Sequence, residues 1–364
     1  MKLACGLVGL PNVGKSTLFN ALTRASAAVA NYPFCTVDPN VGMVPVPDTR
    51  LQILSDIFKP KKTTPTYIEF VDIAGLVKGA SQGEGLGNQF LGHIREVSAM
   101  IHVVRCFDDS ETIHVNGVVD PKSDIEIIET ELILKDLDSI EKLLLRVEKK
   151  SHSGDEEAQK EKAVLEKLKQ QLSSGKPVRG ISISEKDEVF MKSLSLLTTK
   201  PVLYVANLSE ADIEKGNHHS EQVDKIAKEE GNYTILISGK LEAEIATLSP
   251  DEGAEFLKEL GLSESSLPRL IHVSYQMLGL VTFFTVGEDE VRAWTINKGT
   301  RAVDAAGLIH SDIQRGFIRA EITAYKDVVA YKTPQAIKEK GLLRLEGKEY
   351  IVQDGDCIYF RFNV

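Results

Sequence analysis

The residues of this chain best suited to chemistry lie close to its start, in the stretch 9–17, GLPNVGKST. The stretch fits the pattern Gly, four residues, Gly-Lys-Ser/Thr, in which backbone N–H groups surround phosphate oxygens. Gly9 and Gly14 allow the tight backbone curl that this requires. Lys15 can then reach the outer phosphates as a catalytic residue, and the Ser16 hydroxyl can take one position on Mg²⁺. The residues predicted to bind nucleotide here are Asn12, Val13, Gly14, Lys15, Ser16 and Thr17.

Two more residues are predicted to complete the Mg²⁺ site that begins with Ser16. Thr36 lies in a polar, proline-containing stretch after the first predicted helix, where switch-type NTPases keep a second Mg²⁺ ligand. The alternative for Thr36 is the capping of a turn. Asp72 follows a predicted strand over 67–71 and lies three residues before Gly75. At such a position the aspartate holds the Mg²⁺ shell, and we predict that the N–H of Gly75 faces the γ-phosphate and acts in catalysis.

The residue after Gly75 bears on the rate of hydrolysis. Ras-like enzymes place a glutamine there, which orients the attacking water, whereas this chain has Leu76. A leucine side chain can neither donate nor accept a hydrogen bond, so either hydrolysis is slow or another group positions the water. We predict that His114 does so and is catalytic, with His93 as the runner-up; a surface or packing role is the alternative for a lone histidine.

A second group of residues is predicted to hold the nucleotide base. The sequence NLSE at 207–210 follows an apolar strand, at the place where GTPases carry Asn-Lys-x-Asp. In GTPases that aspartate accepts hydrogen bonds from guanine, and a site built to hydrogen-bond one base rejects another. The changed motif of this chain therefore weakens the preference for GTP over ATP. We predict adenine, with Leu208 against its face and Asn207 at its N6/N7 edge. A GTPase in which Glu210 still accepts from the base is the alternative. Ser238 and Gly239 belong to the predicted last loop on the base side.

The elements that must position these residues can be predicted from hydrophobic spacing. Short apolar runs alternate with helical patterns over 1–122 and again over 200–277, which is typical of a doubly wound α/β P-loop NTPase sheet. Between them, apolar residues recur at steps of four and three from Ile133 to Val147, and the spacing resumes at Leu165. This predicts an inserted antiparallel helical (coiled-coil) arm over 123–199. Short β-rich runs with one helix predict a separate domain over 278–364.

Composition limits the class of protein. The net charge of −10 argues against a protein that coats nucleic acid non-specifically, although it allows a local basic face. The four cysteines have no metal-type spacing, and we reject a signal peptide at the start because the apolar run leads into the glycine loop. We therefore expect a cytoplasmic protein that does not span a membrane. A phosphate-contacting face and a plain solvated surface remain equal alternatives for five basic residues: Arg292, Lys298, Arg301, Arg315 and Arg319.

With these residues assembled, the chain resembles the Obg-like ATPase (YchF-type) family of P-loop GTPase relatives over nearly its whole length. The motifs that carry the resemblance are GLPNVGKST at 9–17, NYPFCT at 31–36, DIAGLVKGASQGEGLGN at 72–88 and NLSE at 207–210. The resemblance implies a C-terminal TGS domain of β-grasp fold, ATP hydrolysis in preference to GTP, and association with the ribosome or ribosomal RNA. An asparagine at the position of Asn12 coordinates K⁺ in some related enzymes, so K⁺ stimulation is a hypothesis here.

We therefore expect a monomeric, Mg²⁺-dependent ATPase switch in which ATP orders Thr36 and the loop after Gly75, and hydrolysis releases them. Two alternatives stay open. One is a GTP-specific switch, and the other is an adaptor that binds nucleotide with negligible turnover, which Leu76 would allow.

Overall fold

The computed structural model describes residues 3–27, 40–75, 86–108, 118–151 and 155–363. The chain forms two compact units, one from residues 1–43 and 69–269 and the other from residues 44–68 and 270–364. The strands are β1 Ala4–Val8, β2 Val41–Pro45, β3 Lys62–Thr64, β4 Tyr67–Asp72, β5 Ala99–Arg105, β6 Val202–Asn207, β7 Tyr233–Ile237, β8 Leu280–Val286, β9 Glu290–Asn297, β10 Phe317–Ala324, β11 Arg344–Glu346 and β12 Asp356–Phe362.

The α-helices of the described residues are interspersed with these strands. They are α1 Lys15–Ala27, α2 Thr49–Phe58, α3 Leu86–Glu96, α4 Pro121–Ser151, α5 Glu156–Ser173, α6 Glu185–Ser193, α7 His218–Glu229, α8 Gly239–Ile245, α9 Pro250–Glu259, α10 Leu267–Met277, α11 Ala302–Ile309, α12 Ser311–Arg315, α13 Tyr325–Tyr331 and α14 Pro334–Glu339. Short 3-10 helices occur at Leu197–Thr199 and Glu210–Asp212.

The first unit is built on a sheet with strand order β2-β4-β1-β5-β6-β7. The central strand β1 is buried along its whole length and pairs in parallel with β4 and β5, and the β5–β6 and β6–β7 pairs are also parallel. The carboxyl ends of parallel strands meet at one edge of a sheet, where α/β proteins bind their ligands. The glycine loop, Asp72, Asn207 and Ser238 all lie at or just after such strand ends. The predicted doubly wound fold is confirmed.

The inserted arm is a pair of long helices, α4 and α5. α4 has 31 residues, which at 1.5 Å per residue gives a length of roughly 46 Å. Glu148 lies 3.4 Å from Lys162, and Glu141 lies 2.8 Å from Lys169, so the two helices run antiparallel. Among the described residues, no helix combines the length and the apolar character that a bilayer span requires. The apolar seam of the arm contains Ile140, Leu144, Val147, Leu165, Leu168 and Leu172.

The second unit contains a mixed sheet with strand order β11-β10-β12-β8-β9-β3. The β8–β9 and β10–β12 pairs are antiparallel, while β12 pairs with β8 in parallel. Small residues of α11, Ala302 and Ala306, let this helix pack closely on Phe283 and Phe360 of the sheet. The helix α11 held against one face of a mixed sheet is the β-grasp arrangement that the family resemblance implies.

Residues 44–68 lie in a different place from the one predicted. The sequence analysis assigned them to the nucleotide domain, but in the structure they belong to the second unit. The strand β3 extends the C-terminal sheet, with Lys62 paired in parallel to Glu290. On the other face of that sheet, Leu54 of α2 is fully buried in a cluster with Phe284. The hydrophobic effect of this burial explains why the segment joins the C-terminal sheet.

Candidate functional site

The glycine loop has the backbone conformation that a phosphate cradle needs. Asn12 has φ 62° and Gly14 has φ 90°, so the chain turns through the left-handed region twice before α1 begins at Lys15. A Cβ on Gly14 would lie 2.2 Å from Nδ2 of Asn207, and a Cβ on Gly9 would lie 2.7 Å from a backbone carbonyl oxygen of β5. Glycine is therefore required at both positions, at Gly14 by conformation as well as by space.

The structure brings together the three charged or hydroxyl groups that the motifs single out. The ammonium of Lys15, which is 8% exposed, contacts the carboxylate of Asp72 at the end of β4. The Ser16 hydroxyl donates to Oδ2 of Asp72 at 2.9 Å. This arrangement follows from the sheet, because Leu7 of β1 is the register partner of Asp72.

The donor set fits a Mg²⁺ ion. A hydroxyl oxygen and a carboxylate oxygen are hard ligands of the kind that Mg²⁺ takes, and the ion usually keeps phosphate and water as its remaining ligands. Within the described ranges, no group of three or more His, Cys, Asp or Glu side chains could hold a metal. Ser16 and Asp72 are the described side chains that would hold the ion.

A cavity of about 490 Å³ opens beside these residues. Gly75 lies against the glycine loop, where a Cβ added to it would be 3.4 Å from the backbone nitrogen of Pro11. His93 of α3 also lines the cavity and is exposed, so the runner-up histidine does reach the neighbourhood of Lys15. Thr36, Leu76 and His114 lie outside the described residues, and the predictions for them stay predictions.

Asn207 joins the phosphate loop to the base-side loop. Its Nδ2 donates to the carbonyl oxygen of Val13 at 2.8 Å, and its Oδ1 accepts from the N–H of Gly239 at 2.9 Å. The side chain is buried, so both bonds are shielded from water. Sequence reasoning assigned Asn207 to the base edge, and the structure gives it a positioning role between two loops.

The other predicted base-side residues differ in their burial and in their partners. Leu208 is only 2% exposed, which leaves little of its surface available to a base, so its predicted packing on adenine stays a prediction. Ser238 is buried, and its hydroxyl has no hydrogen-bond partner among the described residues. Glu210 forms an ion pair with Lys240, 3.1 Å from Nζ to Oε1. Sequence reasoning placed Lys240 in the same base-side loop as Ser238 and Gly239 but assigned it no role.

Three of the five basic residues of the C-terminal domain lie next to carboxylates of the same domain. Such exposed pairs are individually weak, yet they lower the local positive potential that would attract phosphate. The pairs are Arg301–Asp304, Arg315–Asp312 and Arg319–Glu321. Arg292 stacks on Trp294, with its guanidinium carbon 3.9 Å from the ring centroid.

A buried polar network lies between the sheet and the base of the arm. His102 of β5 lies beside Tyr204 of β6, with 5.5 Å between ring centroids, and the Tyr204 hydroxyl donates to Glu230 at 2.8 Å. Arg179 contacts the Glu129 carboxylate of α4. Burial, reinforced by the charge of Arg179, lowers the pKa of His102 to about 3. His102 is therefore neutral at neutral pH and has no role as a charged catalytic group.

This shifted pKa predicts an acid sensitivity. In the unfolded chain a histidine has a pKa of about 6.5. Below that pH the histidine is protonated in the unfolded state but His102 stays neutral in the folded state, which favours unfolding. Stability should fall as the pH drops through 6.5, by about 1.4 kcal/mol between pH 7.5 and pH 5.5 from this group alone. Urea unfolding at both pH values should show a smaller loss in His102→Leu. The exposed control His218→Leu should keep the wild-type loss, and an equal loss in all three proteins would contradict the prediction.

Comparisons with known proteins cover the entire chain. A family model described as a 50S ribosome-binding GTPase matches residues 4–150, and the model of the C-terminal region of YchF GTPases, described as a protein of unknown function, matches residues 280–363. A protein of Bacillus subtilis (strain 168) named ribosome-binding ATPase YchF is 55% identical over 366 residues, with 100% of both chains covered. Its namesake in Escherichia coli O157:H7 is 52% identical over 364 residues, again with 100% of both covered.

A solved structure extends this likeness to three dimensions. The structure of the Schizosaccharomyces pombe YchF GTPase superimposes with a TM-score of 0.91 at 42% sequence identity, covering 99% of this chain and 98% of that one. Relatives this similar over their full length share one family, and the glycine loop, the Asp72 site and the NLSE segment described above lie within the matched region. The chain belongs to the YchF family.

Proposed function

We propose that this chain is a Mg²⁺-dependent ATPase that hydrolyses ATP to ADP and phosphate and binds the ribosome in a nucleotide-dependent way, thereby modulating translation. The observation that carries the proposal is the convergence of Lys15, Ser16 and Asp72 beside the glycine loop. The relatives that are 52% and 55% identical over the whole chain, both named ribosome-binding ATPases, support the choice of substrate and partner.

The reaction is the in-line attack of water on the γ-phosphate, for which the protein supplies positioning and charge stabilisation. Lys15 contacts Asp72 in this structure, so nucleotide binding requires its ammonium to exchange that carboxylate for phosphate oxygens. Asp72, together with Ser16 and Thr36, would then hold Mg²⁺, which would supply positive charge next to the phosphates. The N–H of Gly75 donates to the γ-phosphate, and His114 orients the water.

The base is adenine in this proposal. Guanine needs an acceptor for its N1–H and 2-amino group, and in this chain the carboxylate of Glu210 is engaged by Lys240. With Leu208 in place of the usual lysine, the two features of the guanine clamp are both altered. A GTP-specific switch is the second candidate, and Glu210 favours it because the residue keeps a carboxylate at the acceptor position.

The arm over 123–199 and the second unit, which contains the TGS domain, supply the surfaces for the ribosomal partner. The nucleotide site of the first unit, residues 1–43 and 69–269, controls them. The protein acts as a monomer in the cytoplasm. K⁺ stimulation stays a hypothesis that rests on Asn12, whose φ of 62° places it in the turn of the glycine loop.

Sedimentation with purified 70S ribosomes tests the proposed partner. We expect the fraction of protein that pellets with ribosomes to differ at least threefold between a non-hydrolysable ATP analogue and ADP, because the γ-phosphate orders the segments that contact Mg²⁺. Protein without ribosomes serves as the pelleting control. Equal pelleting with either nucleotide would contradict nucleotide-dependent binding. If no protein pelleted with the ribosomes, the proposed ribosomal partner would be wrong.

A further inference from the structure

An ion pair stands at the rim of the base site, between Glu210 and Lys240. Glu210 begins a short 3-10 helix just after β6, and Lys240 is the second residue of α8. Their side chains meet at 3.1 Å and are 37% and 77% exposed, respectively. An ion pair this exposed contributes little to folding stability, so stability alone does not explain its placement.

The two segments that carry the pair are fixed to each other by buried bonds. The N–H of Leu208 donates to the carbonyl oxygen of Ile237 at 2.7 Å, and the N–H of Gly239 donates to Asn207 at 2.9 Å. Asn207 also holds the glycine loop through Val13. The backbone that carries Glu210 and Lys240 is therefore held in place relative to the phosphate cradle, which favours selection of a ligand by geometry.

At the proposed base site, the pair presents a donor where GTPases present an acceptor. A guanine ring presents N1–H as a donor and needs an acceptor, whereas an adenine ring presents N1 as an acceptor and needs a donor. The ammonium of Lys240 carries donors only, and one carboxylate oxygen of Glu210 accepts from it and holds it in place. A site that offers a donor at this edge favours adenine and leaves the guanine donors unpaired.

We propose that Lys240 is a specificity-determining residue that donates a hydrogen bond to N1 of adenine, with Glu210 as the side chain that positions it. The inference rests on the proposed ATPase function and deepens it, because it assigns the choice of base to a residue outside the NLSE segment. It also gives the altered NLSE glutamate a role: Glu210 binds the lysine that recognises the base.

Comparing two proteins with two nucleotides tests whether Lys240 contacts N1 of adenine. The affinities of ATP and 1-deaza-ATP, which has C–H in place of N1, are measured by calorimetry for the wild type and Lys240→Ala. We expect the wild type to bind 1-deaza-ATP about five- to tenfold more weakly than ATP, because the analogue cannot accept the charge-assisted, partly exposed hydrogen bond from Lys240. Lys240→Ala should bind the two nucleotides equally, both weakly. The matched control is Lys228→Ala, which removes an exposed lysine paired with Asp224, and it should discriminate as the wild type does.

The outcomes separate the inference from the proposed function. If Lys240→Ala keeps the wild-type preference for ATP over 1-deaza-ATP, Lys240 does not contact N1 and the inference is overturned. That result leaves the ATPase proposal intact as long as the wild type binds ATP more tightly than GTP. In the same experiment, GTP binding by Lys240→Ala should improve about threefold, because an ammonium no longer faces the N1–H and 2-amino donors of guanine. A loss of GTP affinity would also count against the inference.

Discussion

Replacing Lys15 with alanine is expected to lower the rate of ATP hydrolysis about 100- to 1,000-fold. That range is the loss seen when one preorganised group that stabilises transition-state charge is removed from an enzyme. The ammonium of Lys15 is almost fully shielded from water beside Asp72, so its electrostatic effect on a bound γ-phosphate is stronger than it would be at an exposed site. Phosphate release under single-turnover conditions with Mg²⁺ measures the loss directly.

Two controls make the Lys15 result interpretable. The variant Lys142→Ala removes an arm lysine that pairs with Asp138 at 2.7 Å, and its rate should match the wild type. The melting temperature of Lys15→Ala shows whether the fold survives the loss of the partner of Asp72. If the wild type released phosphate no faster than Lys15→Ala, the chain would be a nucleotide-binding adaptor and not an ATPase.

Replacing Asn207 with alanine is expected to weaken the binding of both ATP and GTP by about 30- to 1,000-fold. The variant leaves the carbonyl of Val13 and the N–H of Gly239 without their buried partner. An unsatisfied buried polar group costs about 1–3 kcal/mol, and here the two groups belong to the loops that bind phosphate and base. The loops would have to be re-ordered on binding, and calorimetry with each nucleotide measures the resulting loss of affinity.

The same variant distinguishes positioning from base recognition. Equal losses for ATP and GTP would mean that Asn207 organises the loops, while a loss confined to ATP would restore its predicted contact with the adenine edge. Asn207→Asp keeps an acceptor for Gly239 but turns a buried carboxylate oxygen towards the carbonyl of Val13, so its affinity should fall at least as far as that of Asn207→Ala. Asn232→Ala removes a bond to Glu230 at the start of β7, the opposite end of the strand from the base-side loop, and should bind nucleotide normally. Unchanged affinity in Asn207→Ala would contradict the positioning role.

The phosphate side of the site was accessible to sequence reasoning because its residues act through short, fixed spacings. Lys15 and Ser16 follow the glycine loop directly, and Asp72 ends the strand next to β1, so parallel pairing alone brings the three together. The base side was harder. The burial of Leu208 and the pairing of Glu210 with Lys240 depend on how the ends of β6 and β7 approach each other, which no local pattern specifies.

The fold shows the same distinction between local and long-range information. The heptad spacing predicted both helices of the arm, because the apolar residues of each helix recur at that spacing within its own sequence. The place of residues 44–68 could not be found this way. A strand as short as β3 carries almost no pattern, and its partner Glu290 lies more than two hundred positions from Lys62 along the chain. The segment joins the C-terminal sheet because Leu54 is buried in a cluster with residues that are distant in sequence, and no local pattern shows this contact.

The affinity of the wild-type protein for ATP compared with GTP, measured by calorimetry with Mg²⁺, tests the central claim most directly. The altered NLSE segment and the engagement of Glu210 by Lys240 predict tighter binding of ATP, by about tenfold or more. Tighter binding of GTP would contradict the account. It would mean that the clamp accepts guanine despite Leu208 and Glu210, and that the chain is a GTPase switch.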